Sequence, residues 1–549
     1  MIRWCSLLLG LSMALVPAGD VAAQAASAAF EARAARRSAY RQPKVHEAVR
    51  AGITWLVEHQ SEKGNWDADG FMARDPKGQE CDGAGQARMD VGVTALALLA
   101  LLAQADPLHA EATHRAAEWL ADQQIARSGL FERAVTDFVY PQAIATLAMA
   151  EAAAMFGRER YLEVARKGVA MLASHRKPGM GWRYTPRDDS DTSVTSWCVA
   201  AYRAALEAGI EVAPEDVAEA LAWLESVTNA SNGHAGYTRR DEASARLAGE
   251  HSVRFPPELG EALTAAAMNT RTLVGVPPDT RLSAAGARLL LAKLPEWNVP
   301  AGKIDFYYWY HATEAVAALP LAAQRQWTRA LHGALLRWQR EDGAYSGSWD
   351  PVGVWSEHGG RVYSTAMCVL MLSSPYRSVH GDTADIVPDV PPFRRVHAYW
   401  RSGDLGKALN ALARLDPAEV LPGQEPALRR LQWFARLHEH YGRQVAGRAT
   451  TLLPNLEDRA LRLADLRDRF AGHEVAQVVA AAIAALDADP AYAAQAALAE
   501  VLASFDPKRP PTSRGKRKAL VDRLKKIVAE HPGTAAAEEA QRHIARLGG

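Results

Sequence analysis

Two kinds of helix alternate along the chain from about residue 45 to residue 375. Helices of the first kind are amphipathic, with apolar residues recurring at helical spacing on one face. Helices of the second kind, such as 90–99 and 363–370, are apolar on every side. Because such a helix must be buried on every side, the pattern predicts about six apolar inner helices surrounded by about six amphipathic outer helices. Strand patterns are scarce, so we expect an all-α chain.

A short motif follows most of the outer helices and marks them as internal repeats. A glutamine comes near the helix end, and a glycine and an aromatic residue follow. We expect the glycine to adopt a positive φ that ends the helix, the aromatic ring to fold back on the helix end, and the glutamine to bond unpaired carbonyls there. The motif occurs at Gln60 with Gly64 and Trp66, Gln124 with Gly129 and Phe131, Gly181 with Trp182, Gly236 with Tyr237, and Gln339 with Gly343 and Tyr345.

The pattern from Gly52 to Trp66 resembles the QW repeat of squalene and oxidosqualene cyclases. Residues 45–377 as a whole are similar to the toroid of those cyclases and of protein prenyltransferase β-subunits. The resemblance implies an all-α fold in which an α/α toroid of about six helix pairs precedes a smaller helical-repeat domain. It does not by itself imply an activity, which depends on the catalytic residues.

The acidic motif of the cyclases is only partly present. Their D-x-D-D-T-A segment resembles the segment Asp188, Asp189, Ser190, Asp191 and Thr192, but Ser190 stands where the proton-donating aspartate is expected. A serine hydroxyl is too weak an acid to protonate an alkene. The candidate catalytic acids are therefore Asp188, Asp189 and Asp191, and the alternative is that Asp191 caps the helix that follows it.

The zinc ligands of the prenyltransferases are also incomplete. Asp305 matches their aspartate, but Tyr307 stands at the cysteine position and Ser364 at the histidine position. Zinc in proteins has three or four protein ligands. We therefore predict no metal and no cofactor.

An aromatic cavity at one mouth of the toroid is the predicted binding site. Helix starts and turns face the same mouth, and aromatic rings there can stabilise cations or stack on ligands. The alternative is that many of these rings only fill the core at helix ends. The predicted ligand contacts are Trp182, Trp197, Asp305, Tyr308, Trp309, His311, Trp349 and Trp355.

The segments before and after residues 45–377 are predicted to have separate roles. Residues 1–25 have the charged start, short apolar core and A-x-A site of a signal peptide, which predicts a secreted or periplasmic protein without a transmembrane span in the mature chain. Residues 26–44 and 378–393 are predicted linkers. Residues 394–549 are predicted to form a TPR-like helical domain that offers a surface for a protein partner.

The composition excludes some functions and leaves others open. The 549 residues include 63 basic and 63 acidic side chains, so we expect no nucleic-acid partner. We predict an exported, non-cyclising toroid that serves as a binding or scaffold protein for an isoprenoid, peptide or glycan. The predicted partner is therefore an apolar or aromatic-stacking small molecule or a peptide. The alternatives are a terpenoid cyclase with an aspartate as its proton donor and a glycan-degrading enzyme, and whether the protein is an enzyme stays open.

Overall fold

The chain is all-α in every part that the structure describes. The described residues contain 23 α-helices, numbered α1 to α23 in chain order, short 3₁₀ turns, and no β-strand. The prediction of an all-α fold is confirmed. The computed structural model describes residues 18–131, 139–187, 189–277, 280–377, 386–504 and 513–547, with side chains from residue 28 onward.

Six helices form a closed inner ring. Each contacts the next one along the chain, and the last packs against the first. Nearly every side chain of α3 is buried, as expected for a helix without a polar face. The predicted α/α toroid is thus confirmed. The inner helices are α3 (Asp90–Gln104), α5 (Val139–Phe156), α7 (Thr192–Glu207), α10 (Ala262–Leu273), α12 (Phe306–Val316) and α14 (Ser356–Arg377).

Six outer helices surround this ring, and glutamine side chains link several of them. The Gln60 amide donates to the carbonyls of Gly64 and Ala112. The Gln339 amide donates to the carbonyl of Ala48, which joins the last outer helix to the first. The outer helices are α2 (Pro43–Glu58), α4 (Ala110–Gln123), α6 (Glu159–His175), α8 (Pro214–Val227), α11 (Arg281–Ala292) and α13 (Leu321–Leu335).

Buried tryptophans fold back on the ends of three outer helices. The indole N–H groups of Trp66, Trp182 and Trp349 donate to the carbonyls of Leu56, Leu172 and Leu335, respectively. These carbonyls lie in the last helical turn, where few backbone donors remain, and those of Leu172 and Leu335 also accept from the backbone N–H groups of Arg176 and Trp338. In the last repeat Trp349 makes this contact, and not Tyr345 as the sequence suggested.

The turns before these rings differ in part from the prediction. Gly64 has the expected positive φ of 100°, and a Cβ there would lie 2.3 Å from the Arg115 carbonyl oxygen. In the third and fourth repeats, however, the positive φ belongs to Gly179 and Gly233. Gly181 and Gly236 are needed for space, because a Cβ on either would collide with its neighbours.

Helix α1 (Ala18–Ala39) covers the end of the ring where the inner helices finish. Arg33 pairs with Glu151 near the end of α5 at 3.0 Å, and Arg36 donates to the Tyr376 carbonyl in α14. Arg377 pairs with the same Glu151 at 2.6 Å. Most of the predicted linker 26–44 is therefore a helix packed on the toroid, because its arginines find carboxylates and carbonyls at the helix ends.

The C-terminal helices pack on the outside of the toroid. One hydrophobic core continues from the ring to Leu486, while residues 494–547 form a small separate core. Glu225 of α8 is buried against Arg462 at 2.7 Å, so the two regions share ion pairs as well. These helices are α15 (Arg394–Arg401), α16 (Leu405–Ala413), α17 (Glu425–Gly447), α18 (Ala449–Leu452), α19 (Leu456–Arg469), α20 (Val475–Asp487), α21 (Pro490–Ala503), α22 (Arg514–Glu530) and α23 (Ala535–Leu547).

Within the part of the chain that the structure describes, one helical segment, Ala87–Gln104, is long and apolar enough to cross a membrane. It contains inner helix α3, whose apolar side chains are buried by the neighbouring helices. The bent pair α20 and α21 meets the same length and composition criteria only when counted as one broken span.

Candidate functional site

An aromatic cavity of about 380 Å³ lies at the end of the ring where the inner helices begin. All six inner helices contribute to its wall, mostly through residues of their first turns. We call this space the aromatic cavity. Its wall includes Gly92, Val93, Leu96, Tyr140, Pro141, Ile144, Tyr184, Ser193, Trp197, Tyr237, Arg246, Leu263, Tyr307, Trp355, His358, Tyr363 and Met367.

A long segment, residues 238–261, contributes to the wall and is tied to the starts of two inner helices. Arg246 forms a buried ion pair with Asp305 at 3.1 Å. The ring of His251, in the short helix α9 (Glu250–Arg254), bonds to the carbonyl of Val354 at 2.8 Å. These contacts fix the segment between α10 and the beginnings of α12 and α14.

Four hydroxyl groups of the cavity wall are paired with one another. The oxygens of Tyr184 and Tyr237 lie 2.9 Å apart. The Ser193 hydroxyl donates to Asp191 at 2.7 Å, so Tyr140, 2.6 Å away, must donate to Ser193. The wall therefore presents ring faces and aliphatic groups to the interior.

Asp191 is a buried carboxyl group behind this wall. It caps α7, accepting a hydrogen bond from the Val194 amide at 2.8 Å, and its Oδ2 has no hydrogen-bond partner. Burial raises the pKa of Asp191 to about 6, against the opposing effect of the hydrogen bonds from Val194 and Ser193. The interpretation of Asp191 as a helix cap is thus confirmed, and the carboxyl is also placed to hold a proton near the cavity.

The other two candidate acids do not share this environment. Asp189 is exposed and lies 3.4 Å from the ammonium group of Lys177. Asp188 lies outside the described residues. Ser190 is buried, and its hydroxyl has no partner, so the residue at the position of the cyclase acid is an uncharged group in the core.

Two of the predicted ligand contacts line the cavity. Trp197 presents its ring there and stacks on Tyr310, with 5.3 Å between the ring centroids. Trp355 lies at the opposite side of the wall, next to His251. Their role as ligand contacts stays a prediction.

Four predicted aromatic contacts lie away from the cavity. Trp182 and Trp349 are the rings that fold back on outer helix ends, as described above. Tyr308 donates to the carbonyls of Leu290 and Lys293, near the end of α11. Trp309 is buried against Phe306. All four rings are buried in the core.

The two predicted polar contacts have other partners. Asp305 caps α12 by accepting from the Tyr308 amide and holds Arg246 as described. His311 is buried one turn after Tyr307, with 4.5 Å between the ring centroids. Burial lowers the pKa of His311 to about 3, so this ring is neutral beneath the cavity wall.

Four further residues line the cavity and were not among the predicted ligand contacts: Tyr140, Tyr237, Arg246 and Tyr363. Tyr140 could have been found, because it is the second residue of an inner helix, as Tyr307 is. Arg246 and Tyr237 lie in irregular loops, where no sequence periodicity indicates which way a side chain points.

The ring of paired helices with a cavity at the helix starts defines the class of protein: an α/α toroid with a small-molecule-sized pocket at one mouth. Comparison with protein-family models and with curated proteins found no match. Among solved structures, the chain is similar to the type II terpene cyclase MstE from Scytonema, at 16% identity and a TM-score of 0.40, covering 61% of this chain and 99% of that one. It is also similar to the GH76A α-1,6-mannanase of Salegentibacter sp. HEL1_6, at 11% identity and a TM-score of 0.42, covering 60% and 98%.

Proposed function

We propose that this protein is a binding toroid that holds an apolar small molecule, of the isoprenoid class, in the aromatic cavity. The observation that carries the proposal is the pairing of polar side chains within the wall. The hydroxyls of Tyr140, Tyr184 and Tyr237 are engaged within the wall, and all three side-chain nitrogens of Arg246 bond to Asp305 and backbone carbonyls.

This pairing favours an apolar ligand over a glycan or a peptide. Both of the latter bring many donors and acceptors, which lose free energy when they leave water unpaired. An apolar chain instead gains from contact with ring faces such as that of Trp197. The cavity volume of about 380 Å³ falls within the roughly 300–1,000 Å³ typical of small-molecule sites.

Gly92 offers a direct test, because it lines the cavity and a Cβ built on it meets nothing closer than Pro141 at 3.6 Å. Gly92→Ala should retain the cavity, whereas Gly92→Leu should fill part of it. We expect the wild type and Gly92→Ala to bind farnesol or geranylgeraniol saturably in calorimetric titrations. Gly92→Leu should bind at least about tenfold more weakly, a difference of about 1.4 kcal/mol.

A mannooligosaccharide should not bind in the same titrations. Binding of the sugar with no response to the isoprenoid alcohols would overturn the proposal. Equal binding of the alcohols by Gly92→Leu and the wild type would place their site elsewhere and would also overturn it.

A second candidate function, acid-catalysed cyclisation, is favoured by one observation: the buried Asp191 carboxyl has an unpartnered oxygen and a pKa raised to about 6. A protonated carboxyl of this kind is a general acid. The test is incubation with squalene and with geranylgeranyl substrates at pH 5, followed by product analysis. Cyclic products that disappear in Asp191→Asn and persist in Asp189→Asn would support it, and their absence from the wild type removes it.

We also propose that the protein is exported, on the basis of the signal-peptide pattern in residues 1–25. Cleavage there would leave Arg33, Arg36 and Arg37, the residues that attach α1 to the toroid. The protein recovered from the periplasm of an expressing bacterium should have the mass of a chain that starts near Ala26. A full-length mass in the cytoplasmic fraction alone would contradict export.

A further inference from the structure

Three chemically distinct side chains meet in the long segment between α2 and α3, outside the aromatic cavity. His59, Asp75 and Cys81 are all buried. The His59 Nε2 lies 2.8 Å from an Asp75 oxygen, and the Cys81 sulfur lies 3.0 Å from the other oxygen. The sulfur and Nε2 are 3.7 Å apart. One imidazole, one carboxylate and one thiol therefore converge on a common point.

The orientation of the imidazole is fixed from its far side. The Nδ1 of His59 lies 2.7 Å from the Trp55 carbonyl oxygen, which can only accept a hydrogen bond. The ring is also stacked on Trp55, with 4.1 Å between centroids. Nδ1 must therefore carry the proton, and in the neutral ring Nε2 has a lone pair facing Asp75. A histidine that ligates a metal is typically held in this way.

Two acceptors 2.8 Å apart require a positive species between them. In the neutral ring, the Nε2 lone pair and the Asp75 oxygen repel each other unless a proton or a metal ion lies there. The 2.8 Å separation is that of a hydrogen bond, so a proton lies between the two atoms while no metal is bound. The donor set indicates which metal ion can replace that proton. Imidazole, thiolate and carboxylate are the ligands of zinc in proteins, and one thiolate with one carboxylate balances the charge of Zn²⁺.

A nucleophilic role for Cys81 fits less well. The thiol donates to the Asp75 carboxylate at 3.0 Å, and its sulfur lies farther, at 3.7 Å, from the imidazole nitrogen. A reactive cysteine needs a base within hydrogen-bond reach of its thiol.

We propose that His59 Nε2, an Asp75 oxygen and the Cys81 sulfur bind one Zn²⁺, with a water molecule as the fourth ligand. Room for that water exists, because His59 and Asp75 also line a surface cavity of about 930 Å³. This differs from the sequence-based expectation of no metal, which rested mainly on the positions of Asp305, Tyr307 and Ser364.

The zinc site would hold a segment that has little regular structure of its own. Between the end of α2 at Glu58 and the start of α3 at Asp90 the chain forms only two short 3₁₀ turns. The segment continues from Cys81 into Asp82, which pairs with the buried Arg361 of α14 at 2.6 Å. The backbone N–H of Gln86 donates to the carbonyl of cavity residue His358. The metal thus anchors a loop that supports one side of the aromatic cavity.

Metal analysis of the full-length protein tests this proposal directly. Protein produced with added Zn²⁺ and then dialysed should retain one zinc per chain. Cys81→Ser and Asp75→Asn should bind Zn²⁺ more than about tenfold more weakly, and Cys368→Ala, which removes a buried thiol of α14, should retain it. Asp75→Asn is informative because the amide oxygen still accepts from the Cys81 N–H, which now bonds Asp75 at 2.8 Å.

A second measurement has its main result in the wild type, so that result does not depend on the folding of a variant. A strong chelator should lower the Tm of the wild type by several degrees and leave the Tm of Cys81→Ser unchanged, because only a bound ion stabilises the folded state by mass action. Substitution by Co²⁺ should give a thiolate charge-transfer band that Cys81→Ser lacks. Dialysed wild type that is folded but holds no stoichiometric zinc would overturn the proposal, as would full zinc retention by both Cys81→Ser and Asp75→Asn.

Discussion

Polar groups are arranged differently at the two ends of the helical ring. At the end where the inner helices finish, α1 lies across the ring, and charges meet in a largely buried cluster of Arg33, Glu151 and Arg377. At the end where the inner helices begin, hydroxyl groups pair within the wall and leave an aromatic space. Among the described residues, α1 covers the first end, and we therefore place the proposed ligand site at the second.

The difference follows from the chemistry of helix ends. Carbonyls exposed at helix C-termini attract cations, and the arginines of α1 supply them. At helix N-termini, side-chain acceptors such as Asp191 and Asp305 satisfy the exposed amides. Once those amides are satisfied, the first turns are free to present aromatic rings.

The largest expected effect is at the covered end. Glu151→Ala would leave Arg33 and Arg377 buried without their shared carboxylate, which lies 3.0 and 2.6 Å from them. Removing one partner of such a cluster costs about 3–5 kcal/mol. We expect urea unfolding to show a loss of this size.

The matched control for that experiment is Glu118→Ala. Glu118 forms surface ion pairs with Arg158 and Arg160, and exposed pairs contribute only about 0–1 kcal/mol. Equal losses in the two variants would mean that the covered end is not held by its buried charges.

The sequence predicted the ring far better than it predicted the cavity wall. A helix that is apolar on every side is recognised as an inner helix. Because it has no polar face, its sequence does not show which side chains point into the cavity. Residues 307–310 are four consecutive aromatics, and each is rotated by about 100° from the last. Tyr307 faces the cavity and Tyr308 faces α11, a distinction that depends on where the neighbouring helices lie.

The residues of the proposed zinc site could not be predicted from the sequence either, because they come together in an irregular segment. His59, Asp75 and Cys81 are separated along the chain and lie in no known motif. Only the path of the segment between α2 and α3 brings them together. In contrast, the cap at Asp191 was predictable, because it depends on the next three residues alone.

The second prediction concerns His311, beneath the cavity. Its pKa is lowered to about 3 in the folded protein, against about 6.5 when unfolded. The unfolded chain therefore binds a proton that the folded chain does not, and stability falls as the pH drops from about 6.5 toward 3. Between pH 7 and pH 4 we expect the wild type to lose roughly 1–3 kcal/mol more than His311→Gln, measured by urea unfolding. If the stabilities of the wild type and of His311→Gln changed with pH in the same way, His311 would not be a neutral, buried ring.

The third prediction has the opposite sign and concerns Asp191. Its pKa is raised to about 6 in the folded protein, above an unfolded value of about 3.9. The folded chain holds a proton that the unfolded chain has lost, so stability falls as the pH rises from about 4 to about 6. Asp191→Asn should remove roughly 1–2 kcal/mol of this dependence while still capping α7. The exposed Asp189→Asn should leave the profile unchanged, and the same change in both variants would show that Asp191 is not the group responsible.

The smallest expected effect is at Gly92, and it separates stability from binding at the cavity end. A glycine inside a helix costs roughly 0.5–1 kcal/mol relative to alanine, and Gly92 lies in α3 with space for a Cβ. Gly92→Ala should therefore be slightly more stable than the wild type and bind equally well. Gly92→Leu should keep this gain, because its side chain enters empty space, while losing the isoprenoid alcohols. A destabilised Gly92→Leu would mean that side chains of the wall already fill the cavity. This end of the ring would then be as closely packed as the end beneath α1.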